Sequence, residues 1–125
     1  MLLDTCALLW LAAGGGALSP EAHARIAAAD SLHISAITGF EIAVKTRSGK
    51  LKLPALPAEW LRTVLPHHRI DVAPLALSIC EAATELPRVH RDPCDRLIIA
   101  TARCHGRPVV TADPQFAPYG IDVIW

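Results

Sequence analysis

Apolar residues fall in short runs, separated by stretches of helical length. Met1 to Leu3 is a brief apolar run that ends in an acid, Asp4, and reads as a buried first strand. A helix follows from about Thr5 to Ala13 and stops at Gly14-Gly15-Gly16. Ser19-Pro20-Glu21 combines an N-cap, a proline at the first helical position and an acid in the first turn, so it starts a second helix that reaches about Ala29. Leu32 to Ser35 reads as strand two. Ser35 then caps a third helix that reaches Ser48, with Gly49 as its stop. After a proline-punctuated loop, 51–57, a helix runs from about Ala58 to Leu65 and ends at Pro66.

The second half repeats the pattern. Ile70-Asp71-Val72-Ala73 is a short third strand, and Ser78 to Leu86 lies within a helix. A basic loop, 88–91, leads to Asp92-Pro93, which opens a helix to about His105 with Gly106 as its stop. Val109-Val110-Thr111 is a buried strand, and Asp122 to Trp125 is the last. Strand and helix alternate with short connections, which predicts an α/β fold with a central, mostly parallel sheet of four to five strands. At 125 residues the chain makes one domain, 1–125, and its 52% hydrophobic content supplies a core.

Placed on this pattern, four acids stand out. Asp4 ends strand one, and Asp113 lies two residues after the Val109-Val110-Thr111 core. Glu41 falls in the second turn of the helix after strand two, and Asp95 in the first turn of the helix opened by Asp92-Pro93. A parallel sheet gathers its ligands beyond the carboxyl ends of its strands. Carboxylates collected there repel one another unless a cation joins them. The pattern points to Mg2+, with Mn2+ meeting the same oxygen preference, and to phosphate chemistry in which the metal activates water. Each acid also has a structural explanation to weigh. Asp95 favours a helix dipole from its first-turn position, and Asp92 reads better as the cap of that helix. Asp4 is hardest to explain structurally, because an acid buried after Leu2-Leu3 is costly without a partner.

Charge and cysteine content narrow the picture. Twelve basic and twelve acidic residues balance, so there is no overall attraction to nucleic acid, and a near-neutral apolar chain suggests a face covered by a partner chain. Trp10, Leu8, Leu11, Trp60 and Leu61 read as core or as such a face. Lys45, Arg47, Lys50 and Lys52 either complement a helix C-terminus or bind RNA. Arg88, His90, Arg91 and Arg96 surround Asp95 and are candidate phosphate contacts; Arg96 has the alternative of holding an active-site carboxylate. Four cysteines with no Cys-x-x-Cys spacing read as reduced thiols rather than a zinc site. The N-terminal apolar run is too short to span a bilayer and carries Asp4 where a signal peptide has basic residues, so a cytoplasmic location is expected.

Several segments together resemble the PIN-domain nucleases, and within them the VapC-type toxins of type II toxin–antitoxin systems. They are Leu2-Leu3-Asp4-Thr5 with Leu8-Leu9-Trp10; residues 35–45, SAITGFEIAVK; residues 49–54, GKLKLP; residues 90–100, HRDPCDRLIIA; Thr111-Ala112-Asp113; and Ile124-Trp125. The resemblance covers nearly the whole chain. It implies a three-layer α/β/α fold and a metal-dependent endoribonuclease. By position, Asp4, Glu41, Asp95 and Asp113 correspond to its acidic metal-binding set, with Thr5 and Thr111 as supporting hydroxyls. Asp92 matches a family segment without being a required ligand. Cys94 departs from the family, which commonly has an aromatic residue there. The resemblance further implies an RNA substrate, a cognate antitoxin and a homodimer. A PIN fold that serves as a nucleic-acid-binding regulatory module, or that cuts DNA, is left open. A receiver-type signalling domain needs an acid after strand three, where this chain has Pro74-Leu75.

Overall fold

A computed structural model describes all 125 residues. Five strands form one sheet in the order β3-β2-β1-β4-β5: β1 Leu2–Leu3, β2 Leu32–Ser35, β3 Ile70–Ala73, β4 Val109–Val110 and β5 Val123–Ile124. Every neighbouring pair is parallel. The chain builds outward from β1 to β3 on one side, then returns to the other side of β1 with β4. The order of strands therefore reverses between β1 and β4, and the carboxyl ends of those two strands frame the crevice where such sheets hold ligands.

Adjacent residues of a strand face opposite sides, and the core divides accordingly. Leu3, Ile34 and Val110 pack with Leu8, Ala22, Ile26 and Trp60 beneath α1 (Thr5–Ala12), α2 (Pro20–Ala27) and α4 (Pro57–His67). Leu2 and Val109 pack on the other face with Ile79, Ile98, Ile99 and Phe116, beneath α5 (Leu77–Glu85) and α6 (Pro93–His105). Together with α3 (Ala36–Arg47), these elements make the three-layer α/β/α arrangement. Leu8 and Trp60 are core, whereas Trp10 is half-buried against the terminal Trp125 with ring centroids 5.1 Å apart. No helix is long and apolar enough to cross a membrane.

The caps explain where the helices begin. Ser19 accepts from the Ala22 N–H, Ser35 from Ile37 and Asp92 from Cys94, each satisfying an amide that the helix leaves unpaired. Two elements differ from the expected pattern. Helix α4 includes Pro66 instead of ending before it: Pro66 sits in the last turn, where one lost amide bond costs little. The His68 N–H still reaches the Val64 carbonyl at 3.1 Å. The segment Pro114–Tyr119, unassigned from the pattern, is a 3-10 helix capped by Asp113 and closed by Gly120. It follows from the same cap-then-proline signal that starts α6, but six residues are too few for a periodicity to be visible.

Helix α6 ends at Gly106, whose φ of 59° lies in the left-handed region. A Cβ there would meet nothing within 4 Å, so the cost of a side chain is conformational alone. Gly106→Ala is expected to lower stability by about 1 kcal/mol in chemical denaturation. An unchanged midpoint would show that the helix terminates equally well without the left-handed cap.

Candidate metal centre

The four acids reach the carboxyl edge of the sheet from four different elements. Asp4 follows β1, and its N–H continues the ladder to the Val110 carbonyl at 3.1 Å. It is buried, and one carboxylate oxygen caps α1 by accepting from the Ala7 N–H at 2.6 Å. The Thr111 hydroxyl lies beside it and favours its ionised form. The same hydroxyl oxygen accepts from the Asp113 N–H at 3.0 Å, so Thr111 couples the two strand-end acids. Thr5, the first residue of α1, donates its hydroxyl to Glu41 Oε2. Glu41 is buried on α3, one turn before Lys45, whose Nζ lies 2.5 Å from Oε1. Asp95, in the first turn of α6, and Asp113, before the 3-10 helix, both face the imidazole of His90.

Electrostatics registers the crowding. Burial raises the Asp4 carboxyl above its ordinary range; hydrogen bonds from Thr111 and Ala7 pull it down, and the negative charges of Glu41 and Asp113 push it up. Burial pushes Asp95 up from the ordinary 3.8 to about 6, opposed by His90 and aided by Asp92, Glu41 and Asp4. Lys45 is the ammonium bonded into the cluster. Burial works against its charge, yet the hydrogen bond and attraction of Glu41 outweigh that and hold it above the ordinary lysine range. Cys94, at the rim, is pushed up to about 11, first by burial and then by Glu41, Asp92 and Asp95. It stays a thiol at neutral pH.

Oxygen donors dominate, their charges exceed those of Lys45, and two of the carboxylates bind protons more readily than free acids do. That donor set suits a hard divalent cation. His90, Asp95 and Asp113 also bring one ligand atom each within 4.8 Å of the others.

The remaining predicted residues separate. Asp92 is exposed and caps α6, accepting from the Cys94 and Asp95 N–H groups at 2.8 and 3.4 Å. Arg91 is exposed on the loop before α6 and is free to meet a phosphate. Arg96 is not: its Nη1 donates to the carbonyls of Pro87 (2.9 Å) and His90 (3.2 Å), and its Nη2 to those of Ala83 and Leu86, both at 2.8 Å. Both expected roles for Arg96, phosphate contact and carboxylate partner, therefore give way to a third. A planar guanidinium with fixed donors gathers the carbonyls of the α5–α6 connection and thereby sets the loop that carries His90. His90 in turn is buried, with its ring directed at the carboxylates instead of at solvent. Its neighbour Tyr119, whose hydroxyl accepts from the His90 N–H at 2.6 Å, carried no signal in the pattern because it enters from the 3-10 helix.

Comparison with known proteins places these features in a family context. The PIN domain family profile matches residues 1–121. Ribonuclease VapC22 of Mycobacterium tuberculosis is 36% identical over 115 residues, covering 90% of this chain and 86% of that protein. The VapBC2 structure from Rickettsia felis, bound to a promoter DNA fragment, superposes with a TM-score of 0.69 at 16% identity, over 98% of this chain and 95% of that one. A toxin–antitoxin complex from Klebsiella pneumoniae superposes with a TM-score of 0.64 at 24% identity, over 93% and 89% of the two chains.

Two outcomes follow from this geometry. Because the folded Asp95 titrates near 6 against an ordinary 3.8, the folded state binds more protons between those values. This group's contribution to metal-free stability therefore falls as pH rises from about 4 to about 6, and the deficit persists above that. Asp95→Asn flattens this part of the profile, and Mg2+ restores stability to the wild type above about pH 6. Thermal unfolding of both proteins with and without the ion measures it, and an identical pH profile in the two would contradict it. Arg96→Ala is expected to cost about 2 kcal/mol or more, since it leaves several carbonyls without their donor, while Arg91→Ala stays within about 0.5 kcal/mol. Denaturant midpoints of the two variants decide this, and equal midpoints would remove the clamp.

Proposed function

The chain belongs to the PIN domain family, among relatives of the VapC-type ribonucleases, and from that premise we propose that it is a metal-dependent endoribonuclease and the toxin of a toxin–antitoxin pair. The observation that carries the proposal is the convergence of Asp4, Glu41, Asp95 and Asp113 on the crevice between β1 and β4, with Lys45 bonded only to Glu41.

These four acids would hold Mg2+, with Mn2+ as an equivalent, and the bound ion supplies Lewis acidity toward a phosphodiester and toward water. The chain's own residues prepare that site. Thr5 and Lys45 hold the two oxygens of Glu41. Thr111 orients Asp4 and, through the Asp113 amide, the turn that presents Asp113. Asp92 contributes by fixing the first turn of α6 and so the backbone of Asp95. Arg91 and Arg88, exposed beside the cluster, supply positive charge for the flanking phosphates of an RNA strand. Lys45 is assigned to Glu41 first and to RNA only through the charge it adds at the rim.

The same reading includes partners. Phe40 and Val44, 60% and 48% exposed on α3, support a face covered by a second copy of the chain. The apolar groove lined by Leu9, Trp10, Leu53, Pro54 and Trp60 suits an apolar segment of an antitoxin. A cytoplasmic location accompanies an RNA substrate.

Asp4→Asn should lower RNA cleavage by about 100-fold or more while the protein remains folded. A panel of RNA and DNA substrates, with and without EDTA, tests the class of reaction: RNA cleavage abolished by EDTA is expected. Full activity in Asp4→Asn, or cleavage indifferent to EDTA, would overturn the assignment, and cleavage of DNA alone would transfer it to a DNA nuclease.

A further inference from the structure

His90 contacts two of the four acids at once, and its other ring nitrogen reveals how. Nδ1 accepts from the Asp92 N–H at 3.2 Å, which uses its lone pair. The ring hydrogen is then on Nε2. Nε2 is hydrogen-bonded to Asp113 Oδ2 at 2.9 Å and lies 3.2 Å from Asp95 Oδ2, so the ring N–H engages Asp113 while standing beside a second carboxylate borne by a separate element.

We propose that His90 is a positioning residue that holds Asp113 beside Asp95 through its Nε2–H bond to Asp113, and that it is not itself a metal ligand. The proposal rests on the reading of those acids as a metal centre and assigns the residue that holds them in register.

Two further observations support a brace over a ligand. As a ligand His90 would have to offer the Nε2 lone pair, which moves the hydrogen to Nδ1. That hydrogen would then face the Asp92 N–H, donor against donor, and a partly buried bond would be lost. The surroundings also fix the ring independently of any ion. Phe116 packs edge-on against it at 5.7 Å and 90°. The Tyr119 hydroxyl accepts from the His90 N–H and donates to the Pro87 carbonyl at 2.9 Å, while Arg96 holds the His90 carbonyl. Asp113 ends with both oxygens engaged, Oδ1 by the Gln115 N–H at 2.8 Å and Oδ2 by His90.

The test uses the full chain, labelled with 15N. Two-bond 1H–15N correlation of the imidazoles in metal-free protein should show His90 protonated at Nε2 and unprotonated at Nδ1, and Mg2+ should leave that pattern in place. Variants separate the two nitrogens, because a Gln amide nitrogen reaches the position of Nε2 whereas an Asn amide stops near Nδ1. Mn2+ affinity, read by electron paramagnetic resonance without RNA, should fall about 10- to 100-fold in His90→Asn and recover most of that loss in His90→Gln. Hydrogen on Nδ1, an Nε2 signal that becomes metal-bound, or equal Mn2+ affinity in wild type and His90→Asn would overturn the brace. The tautomer measurement needs only wild-type protein, so a variant that fails to fold does not leave the question open. It is also independent of nuclease activity. Wild type that shows the expected tautomer but cleaves no RNA would refute the proposed function and leave the brace; RNA cleavage with the opposite tautomer would do the reverse.

Discussion

Repulsion among buried carboxylates is the constraint around which this molecule is arranged. Asp4 and Glu41 are buried, Asp95 and Asp113 are half-buried, and Coulombic coupling links members of the set across two helices and two strand ends. No hydrophobic term favours such an assembly. It persists because each acid is tied into the fold by bonds that serve the backbone: Asp4 caps α1, Asp113 caps the 3-10 helix, Asp95 rides on the turn that Asp92 caps, and Glu41 is held by Thr5 and Lys45. The groups that would bind the ion are thus the same groups, or immediate neighbours of the groups, that start the helices. Preorganisation of the site and local folding have a common origin.

The supporting layer works by transmitted position. Arg96 draws together the carbonyls of the α5–α6 connection, that connection presents His90, and His90 bonds Asp113 beside Asp95. An arginine that looks in sequence like a phosphate ligand therefore acts on the centre two contacts away. The same logic separates Arg91, which is exposed, from Arg96, whose two terminal nitrogens donate to backbone carbonyls.

Much of this was legible in the sequence. The alternation of strand and helix, the cap-proline signals at Ser19 and Asp92, and the strand-end positions of Asp4 and Asp113 follow from local chemistry that leaves a local trace. The parallel sheet followed from that alternation, and the order of its strands then placed Asp4 and Asp113 on either side of the reversal. What was not legible depends on non-local contacts. The orientation of His90 is decided by Tyr119 and Phe116, 29 and 26 positions later in the chain, on a 3-10 segment too short to show a period. The engagement of Arg96 requires knowing that the carbonyls ending α5 turn toward α6. Pro66 misleads because a proline in a last turn gives the same local signal as one that ends the helix earlier.

The account's central claim is that these acids form one divalent-cation centre with His90 as its brace. Anomalous diffraction from crystals soaked in Mn2+ tests that most directly. The account predicts an ion within about 2.0–2.4 Å of carboxylate oxygens from Asp4, Asp95 or their partners in the cluster, with His90 Nε2 outside coordination distance. An anomalous peak coordinated by His90, or no peak between the ends of β1 and β4, would contradict it.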